Sequence, residues 1–276
     1  TNRDPSSGAL SYQLQTTRAG LLTVEALFSG SGGSAQVALL DAGKNPIGSP
    51  GTRAQTTASA AGQTYYVTLS GANSDVDLRI ANLVQQSSNI VYVAGTSGED
   101  AFVFDASGPL QFTVNGVQYV FASGVDSFNF DGGAGADAAT IIGSSNADTA
   151  IVSPQDALVV GTAASSANYS VAVGATRDIT IRGGGGANSA TLFDSVGDDT
   201  FVAFPTLALM SDDPNQGPAA SYVNRLENFP EAIAYSNSGG SDLAKLVGSS
   251  SVAEHFEGTA ASAVLQSVAS GGHHLG

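Results

Sequence analysis

The chain contains no cysteine and no tryptophan, one methionine, and nine Lys and Arg residues against 24 Asp and Glu. Without cysteine there is no disulfide framework, no thiolate metal site and no Cys nucleophile. The net charge of −15 argues against nucleic acid as a partner, because so few cations cannot neutralise a row of phosphates. It equally disfavours an anionic membrane surface. No apolar run reaches the ~18 residues of a membrane span, so no membrane insertion is expected. Catalytic signatures are missing too. There is no H-E-x-x-H, no G-x-S-x-G and no phosphate loop, and the three histidines, His255, His273 and His274, all lie near the C-terminus. The glycine run 183–186 precedes a strand-like segment and not a helix, which rejects a dinucleotide fingerprint. The chain opens at Thr1 without a signal-peptide core, and reads as a mature or excised piece.

What is present points to stacked β structure. The 34 glycines are well above the usual ~7%, and the apolar content is mostly Ala, Val, Leu, Ile and Phe. Helical bundles want Leu, Glu, Lys and Arg instead. At 276 residues the chain has room for two domains. In the first part, short alternating segments at 21–28, 35–40, 64–70 and 76–80 are separated by turn signals such as Asp41-Ala42-Gly43-Lys44-Asn45-Pro46. That spacing predicts an antiparallel sandwich. Ala19-Gly20-Leu21-Leu22-Thr23-Val24, Val37–Lys44 and above all Ala61-Gly62-Gln63-Thr64-Tyr65-Tyr66-Val67-Thr68-Leu69-Ser70-Gly71 resemble the bacterial pre-peptidase C-terminal domain over roughly residues 10–84. The resemblance implies a jelly-roll-like accessory sandwich of secreted proteins, used for targeting or matrix binding and not for catalysis, with Thr1–Gly8 a polar tail.

The remainder repeats. Segments starting at Ser87, Gly135, Gly186 and Gly240 align with one another at separations of 48, 51 and 54 residues. Inside them, a step of 11 residues links two similar halves, Gly135 to Asn146 and Gly186 to Gly197. Each unit of about fifty residues predicts four or more short strands, about two coils of a β-helix. Phe128 and Phe130, Ile179 and Ile181, and Ile233 and Tyr235 are the expected inward ladders. The pattern resembles the Gly/Asp-punctuated β-helical repeats of large secreted bacterial surface proteins. The expected fold is therefore all-β, with a jelly-roll-like antiparallel sandwich over 1–84 and a right-handed parallel β-helix of ~50-residue repeats over 85–276.

Chemistry is sparse in this pattern. Gly132-Gly133-Ala134-Gly135-Ala136-Asp137 follows the spacing of the calcium nonapeptide, and Gly183–Asn188 repeats it with Asn for Asp. Asp148 and the pairs Glu99-Asp100 and Asp198-Asp199 recur at equivalent turn positions. Asp137, Asp148, Asp198 and Asp199 are thus the candidate calcium ligands. The competing reading is a turn in which the Asp side chain accepts from backbone N–H groups. No catalytic or cofactor-binding residues are assigned. Arg177, Asp178, Arg182 and Arg225 are the densest candidates for a polysaccharide lyase, but repeat equivalents of Arg177 are Asp126 and Glu231, which marks a variable outward position. The functional expectation is an extracellular structural or adhesive surface or matrix protein that is not an enzyme, with fibre formation within its range. Its expected partners are further copies of itself, other surface components or polysaccharide. The alternative is a carbohydrate-active β-helix with an accessory binding module.

Overall fold

A computed structural model describes residues 2–28, 33–121, 124–164, 167–248, 254–258 and 263–267. The fold is all-β: among the described residues the one helical element is a single 3-10 turn at Pro5–Ser7. Two compact units divide the chain at Ser87. The sequence places that boundary at 84/85, but the strand that begins at Val76 runs on to Ser87.

The first unit contains two antiparallel sheets. One orders Leu10–Gln15, Thr64–Gly71, Ala35–Leu40 and Pro46–Gly51; the other orders Val76–Ser87, Gly20–Leu27 and Arg53–Ala58. Alternation in Ala35–Leu40 and Thr64–Gly71 buries Val37, Leu39, Tyr65, Val67 and Leu69, which share one core with Leu22 and Val24 of the other sheet. Period-two burial of this kind leaves the intervening Gln and Thr residues for solvent. The segment that reads as a polar tail contributes a strand: Asn2 and Arg3 pair with Asp77 and Val76.

The second unit is two mixed sheets built by a rule the repeat makes visible. Its repeats begin with strands Ile90–Ala94, Ala138–Ile142, Ser189–Phe193 and Leu243–Leu246, again 48, 51 and 54 residues apart. Each of the first three repeats is five strands. The first and last strands lie side by side and parallel in one sheet; the middle three form an antiparallel meander in the other. Successive repeats exchange the sheets. The repeat at 90–131 puts its outer strands in sheet I and its meander in sheet II; the repeat at 138–182 does the reverse, and that at 189–235 restores the first arrangement. Contacts between repeats are parallel ladders, such as Ala101–Asp105 with Ala138–Ile142 and Ser127–Asp131 with Asn168–Gly174.

The inner faces of the two sheets make the core. Phe102 of sheet II stacks on Phe130 of sheet I with ring centroids 4.7 Å apart, and Phe104 meets Phe128 at 4.9 Å. Later repeats replace this aromatic filling with Ile141, Val152, Val159, Ile179, Ile181 and Leu192, all buried. The expected ladders hold for Phe128, Phe130, Ile179 and Ile181 as buried positions, but in different sheets, so they do not stack on one another. Ile233 and Tyr235 are not inward. In register with buried Ala190 and Leu192 stand Ala232 and Ala234, which sets Ile233 and Tyr235 on the outer face beside Thr191 and Phe193.

Candidate functional site

Two kinds of crossing between the sheets of the second unit are tight six- or seven-residue turns that end in Asp or Asn. One kind precedes each meander: Gly95–Asp100, Gly143–Asp148 and Asp194–Asp199. In each, the terminal carboxylate accepts from the backbone N–H four residues back, Thr96, Ser144 or Ser195, at 2.6, 2.9 and 2.8 Å, and from the hydroxyl of the same residue. That hydroxyl in turn accepts the N–H two residues on, from Gly98, Asn146 or Gly197. These turns therefore satisfy amides within themselves, with exposed tips and a buried carboxylate where the chain re-enters the core.

The second kind of turn, which joins one repeat to the next, ends in Asp137, Asn188 and Asp242. Its Oδ1 accepts the backbone N–H of Asp100, Asp148 and Asp199 at 2.7, 2.8 and 2.9 Å. A third group closes each set from the meander: Asn115 donates to Asp100 at 2.6 Å, Tyr169 to Asp148 at 2.7 Å, and Tyr222 to Asp199. Burial, followed by the carboxylate alongside, pushes the Tyr169 and Tyr222 hydroxyls well above the usual phenol range. Both remain protonated donors at any physiological pH.

The four calcium candidates consequently separate. Asp148 and Asp199 are buried and hold turns; Asp198 is exposed and accepts the Ser241 N–H at 2.8 Å; Asp137 is fully buried. Among the described residues, Asp199 is the one of the four whose oxygens lie within ligating distance of two further carboxylates. Asp194, Asp199 and Asp242 each offer an oxygen within 4.8 Å of the others. Sequence reasoning passes over Asp194 and Asp242. The signal lies in the repeat, where Asp194 replaces Gly95 and Gly143. A Cβ at Gly95 would strike the Gly132 carbonyl and one at Gly143 the Asp148 carboxylate. In the third copy the neighbouring strand sits further off: the residue-194 amide reaches Tyr235 O at 3.2 Å, against 2.7 and 2.8 Å for its equivalents. Asp194 receives the Ser238 N–H on both oxygens, and Asp242 accepts from Ser236. Three carboxylates with lone pairs to spare are the hard-oxygen set a divalent cation takes. The arginine candidates are engaged elsewhere. Arg177 pairs with Asp178 at 3.2 Å and Arg182 with Glu227 at 2.9 Å, while Arg225 donates to Gln216.

Asp137 is a fully buried carboxylate where the next repeat has the neutral Asn188. Its Oδ2 is buried without a hydrogen-bond partner, packed against Gly132. Burial, then the charges of Asp100, Glu99 and Asp131, push its carboxyl above the ordinary 3.8. A carboxyl raised in the folded state contributes stability below the unfolded value, and that contribution is lost as the pH climbs through the folded value. The next repeat already places the neutral isostere, Asn188, in the same geometry. Asp137→Asn is therefore expected to have the higher urea midpoint at pH 7. The gain is that of the removed charge alone, because the Asn188 amide shows that an Asn in this place leaves its Nδ2 as unpaired as the Asp137 Oδ2. The gap should close below about pH 4, where both side chains are neutral. Urea unfolding across that pH range checks it, and a variant no more stable than the parent at pH 7 would contradict the assignment. No family model, no curated protein and no solved structure matches this chain.

Proposed function

We propose that the chain is a structural and adhesive module of a cell surface or extracellular matrix, and not an enzyme. The observation that carries this reading is the use made of the acids. In three successive repeats the buried carboxylates are each held by a turn amide, a hydroxyl and a meander side chain, which is a building role. The small, acidic, cysteine-free composition fits a rigid scaffold in salty surroundings. The first unit is read as a jelly-roll-like accessory sandwich of the pre-peptidase C-terminal kind, and the second as a relative of the parallel β-helix whose coils are opened by antiparallel meanders. Its partners are other surface components, polysaccharide or further copies of the chain. Calcium belongs to the same proposal, with Asp194, Asp199 and Asp242 as its ligands; it should raise the melting temperature of the protein but not of Asp194→Asn, and equal shifts in both would move the ion elsewhere.

Protease treatment of intact cells carrying the protein should strip it from their surface. The purified chain should release neither unsaturated nor reducing ends from acidic polysaccharides supplied with calcium. Retention inside the cell overturns the surface assignment, and reproducible release makes the chain a carbohydrate-active enzyme.

A further inference from the structure

The outer face of sheet I is unusual for so acidic a chain. Its central row, in register across seven strands, reads Tyr92, Asn129, Ala172, Leu158, Ile151, Thr191 and Ile233, without a charge. Ile151, Leu158 and Tyr92 are 40–49% exposed. At one end of this face, where the meander strands Thr149–Ser153, Asp156–Thr162 and Asn168–Gly174 lie side by side, the surface sinks into an open groove of about 500 Å3. That volume falls within the ~300–1,000 Å3 of small-ligand sites.

The groove is lined by Thr149, Val160, Thr162, Asn168 and Ser170, with Asp126 at its edge. Their arrangement is set by cross-strand pairing. Val160 stands opposite both Thr149 and Ser170, and Thr162 opposite Asn168. Beneath them the Tyr169–Asp148 hydrogen bond occupies the space that a side chain at Gly161 would need, so the groove rests on a braced floor. Thr162 donates to Asn168 Oδ1 at 3.1 Å, which leaves the amide NH2 as donor. Asn89 donates to one oxygen of Asp126 at 2.8 Å and leaves the other as acceptor.

We propose that this groove binds a neutral saccharide segment; the proposal rests on the adhesive reading above and names what is adhered to. Sugar hydroxyls both donate and accept, and the groove offers both capacities. Its donors are the Thr149 hydroxyl and the Asn168 amide. Its acceptors are the Asp126 carboxylate and the hydroxyl oxygens of Thr162 and Ser170, whose own protons go to Asn168 and Ser127. Between them the Val160 methyls meet the C–H face of a pyranose ring. The lining has no Lys or Arg, and Asp126 repels carboxylate or sulfate groups, so acidic sugars are disfavoured. The uncharged row beyond the groove gives a longer chain a surface to follow.

The test uses the full chain with cellotriose, triacetylchitotriose and trigalacturonate, read by saturation-transfer NMR and isothermal titration. At least one neutral trisaccharide is expected to bind, and trigalacturonate more weakly. Asn168→Ala and Thr149→Arg, both at exposed positions, should weaken binding roughly tenfold or more, with melting temperatures confirming that they fold. Thr140→Arg, on a strand of sheet II and outside the groove, should bind as the parent does. Three results would overturn the proposal: no binding of either neutral trisaccharide, binding unchanged in both groove variants, or preference for trigalacturonate. None of these touches the surface-module reading, which the cell-surface proteolysis decides without any saccharide.

Discussion

Asp148→Ala is expected to cost the second unit about 3–5 kcal/mol, the scale for breaking a buried charged network by removing one partner. Asp148 is 1% exposed and accepts from the Ser144 amide, the Ser144 hydroxyl and the Tyr169 hydroxyl. Alanine strands all three donors beneath the groove. The loss should exceed that of Tyr169→Phe, which removes one hydrogen bond to a charged group, worth about 1.5–3 kcal/mol. It should also exceed that of Asp148→Asn, which keeps one acceptor oxygen. Burial raises the Asp148 carboxyl above the usual carboxylate value while the Tyr169 and Ser144 hydrogen bonds hold it down. The contribution from that raised value is present at low pH and fades as the pH rises through it, so the three variants are best compared at a fixed pH near neutrality. Urea midpoints rank them. A cost for Asp148→Ala of about 1 kcal/mol or less, typical of an exposed turn residue, would mean that the turn does not depend on this carboxylate.

The sequence exposes the repeat because two of its three kinds of crossing are punctuated by glycines and a terminal Asp or Asn. It does not expose which sheet a strand enters. Period-two alternation looks the same in Ala138–Ile142 of sheet II and Thr149–Ser153 of sheet I, since both bury one side of a pleat. Strand direction is written in the links between strands, although the repeat pattern by itself reads as parallel coils and passes over the antiparallel meanders. Parallel neighbours need long connections, whereas a two-residue link forces an antiparallel return. Asn115-Gly116, with φ of 50° and 77°, and Pro154-Gln155, with Gln155 at 65°, are such links. They turn a coil into a meander. Asn115-Gly116 is a hairpin signal in any sequence. The turn role of Asp100, Asp148 and Asp199 was likewise legible from their equivalent positions. Their closing partners were not, because Asn115, Tyr169 and Tyr222 arrive from three different places in the meander, and no fixed spacing announces them.

The carboxylate network and the exchange of sheets depend on each other. A five-strand repeat that begins in one sheet and puts its meander in the other crosses between sheets three times, twice through the Asp- or Asn-ended turns. Linking the two turns through the Asp100–Asp137, Asp148–Asn188 and Asp199–Asp242 contacts lets one side chain serve the neighbouring crossing. The same coupling makes the third copy distinctive. Once Asp194 stands where glycine would otherwise let the strands close up, the linked pair becomes a trio of carboxylates.

Ile181→Asp should abolish the cooperative unfolding of the second unit altogether. Ile181 is 1% exposed and stands in sheet II between Ile141 and Leu226, both buried. No described cation faces it from these strands, so aspartate there is an unpaired buried charge, which costs several kcal/mol even after relaxation. That approaches the 5–15 kcal/mol that holds a whole domain together. The control is one residue away. Thr180 points to the outer face between Thr140 and Arg225, and Thr180→Asp gains a cationic neighbour, so its effect should stay within about 0.5 kcal/mol. Because a slip of one residue exchanges every inward and outward side chain, the pair reads the register directly. Near-ultraviolet circular dichroism and urea titration should show the second-unit transition lost in Ile181→Asp and kept in Thr180→Asp. The first unit, with its separate core around Leu22, Val37 and Val67, should keep its own transition in both. If the two variants unfold alike, the strand is out of register and the inner face of sheet II must be reassigned.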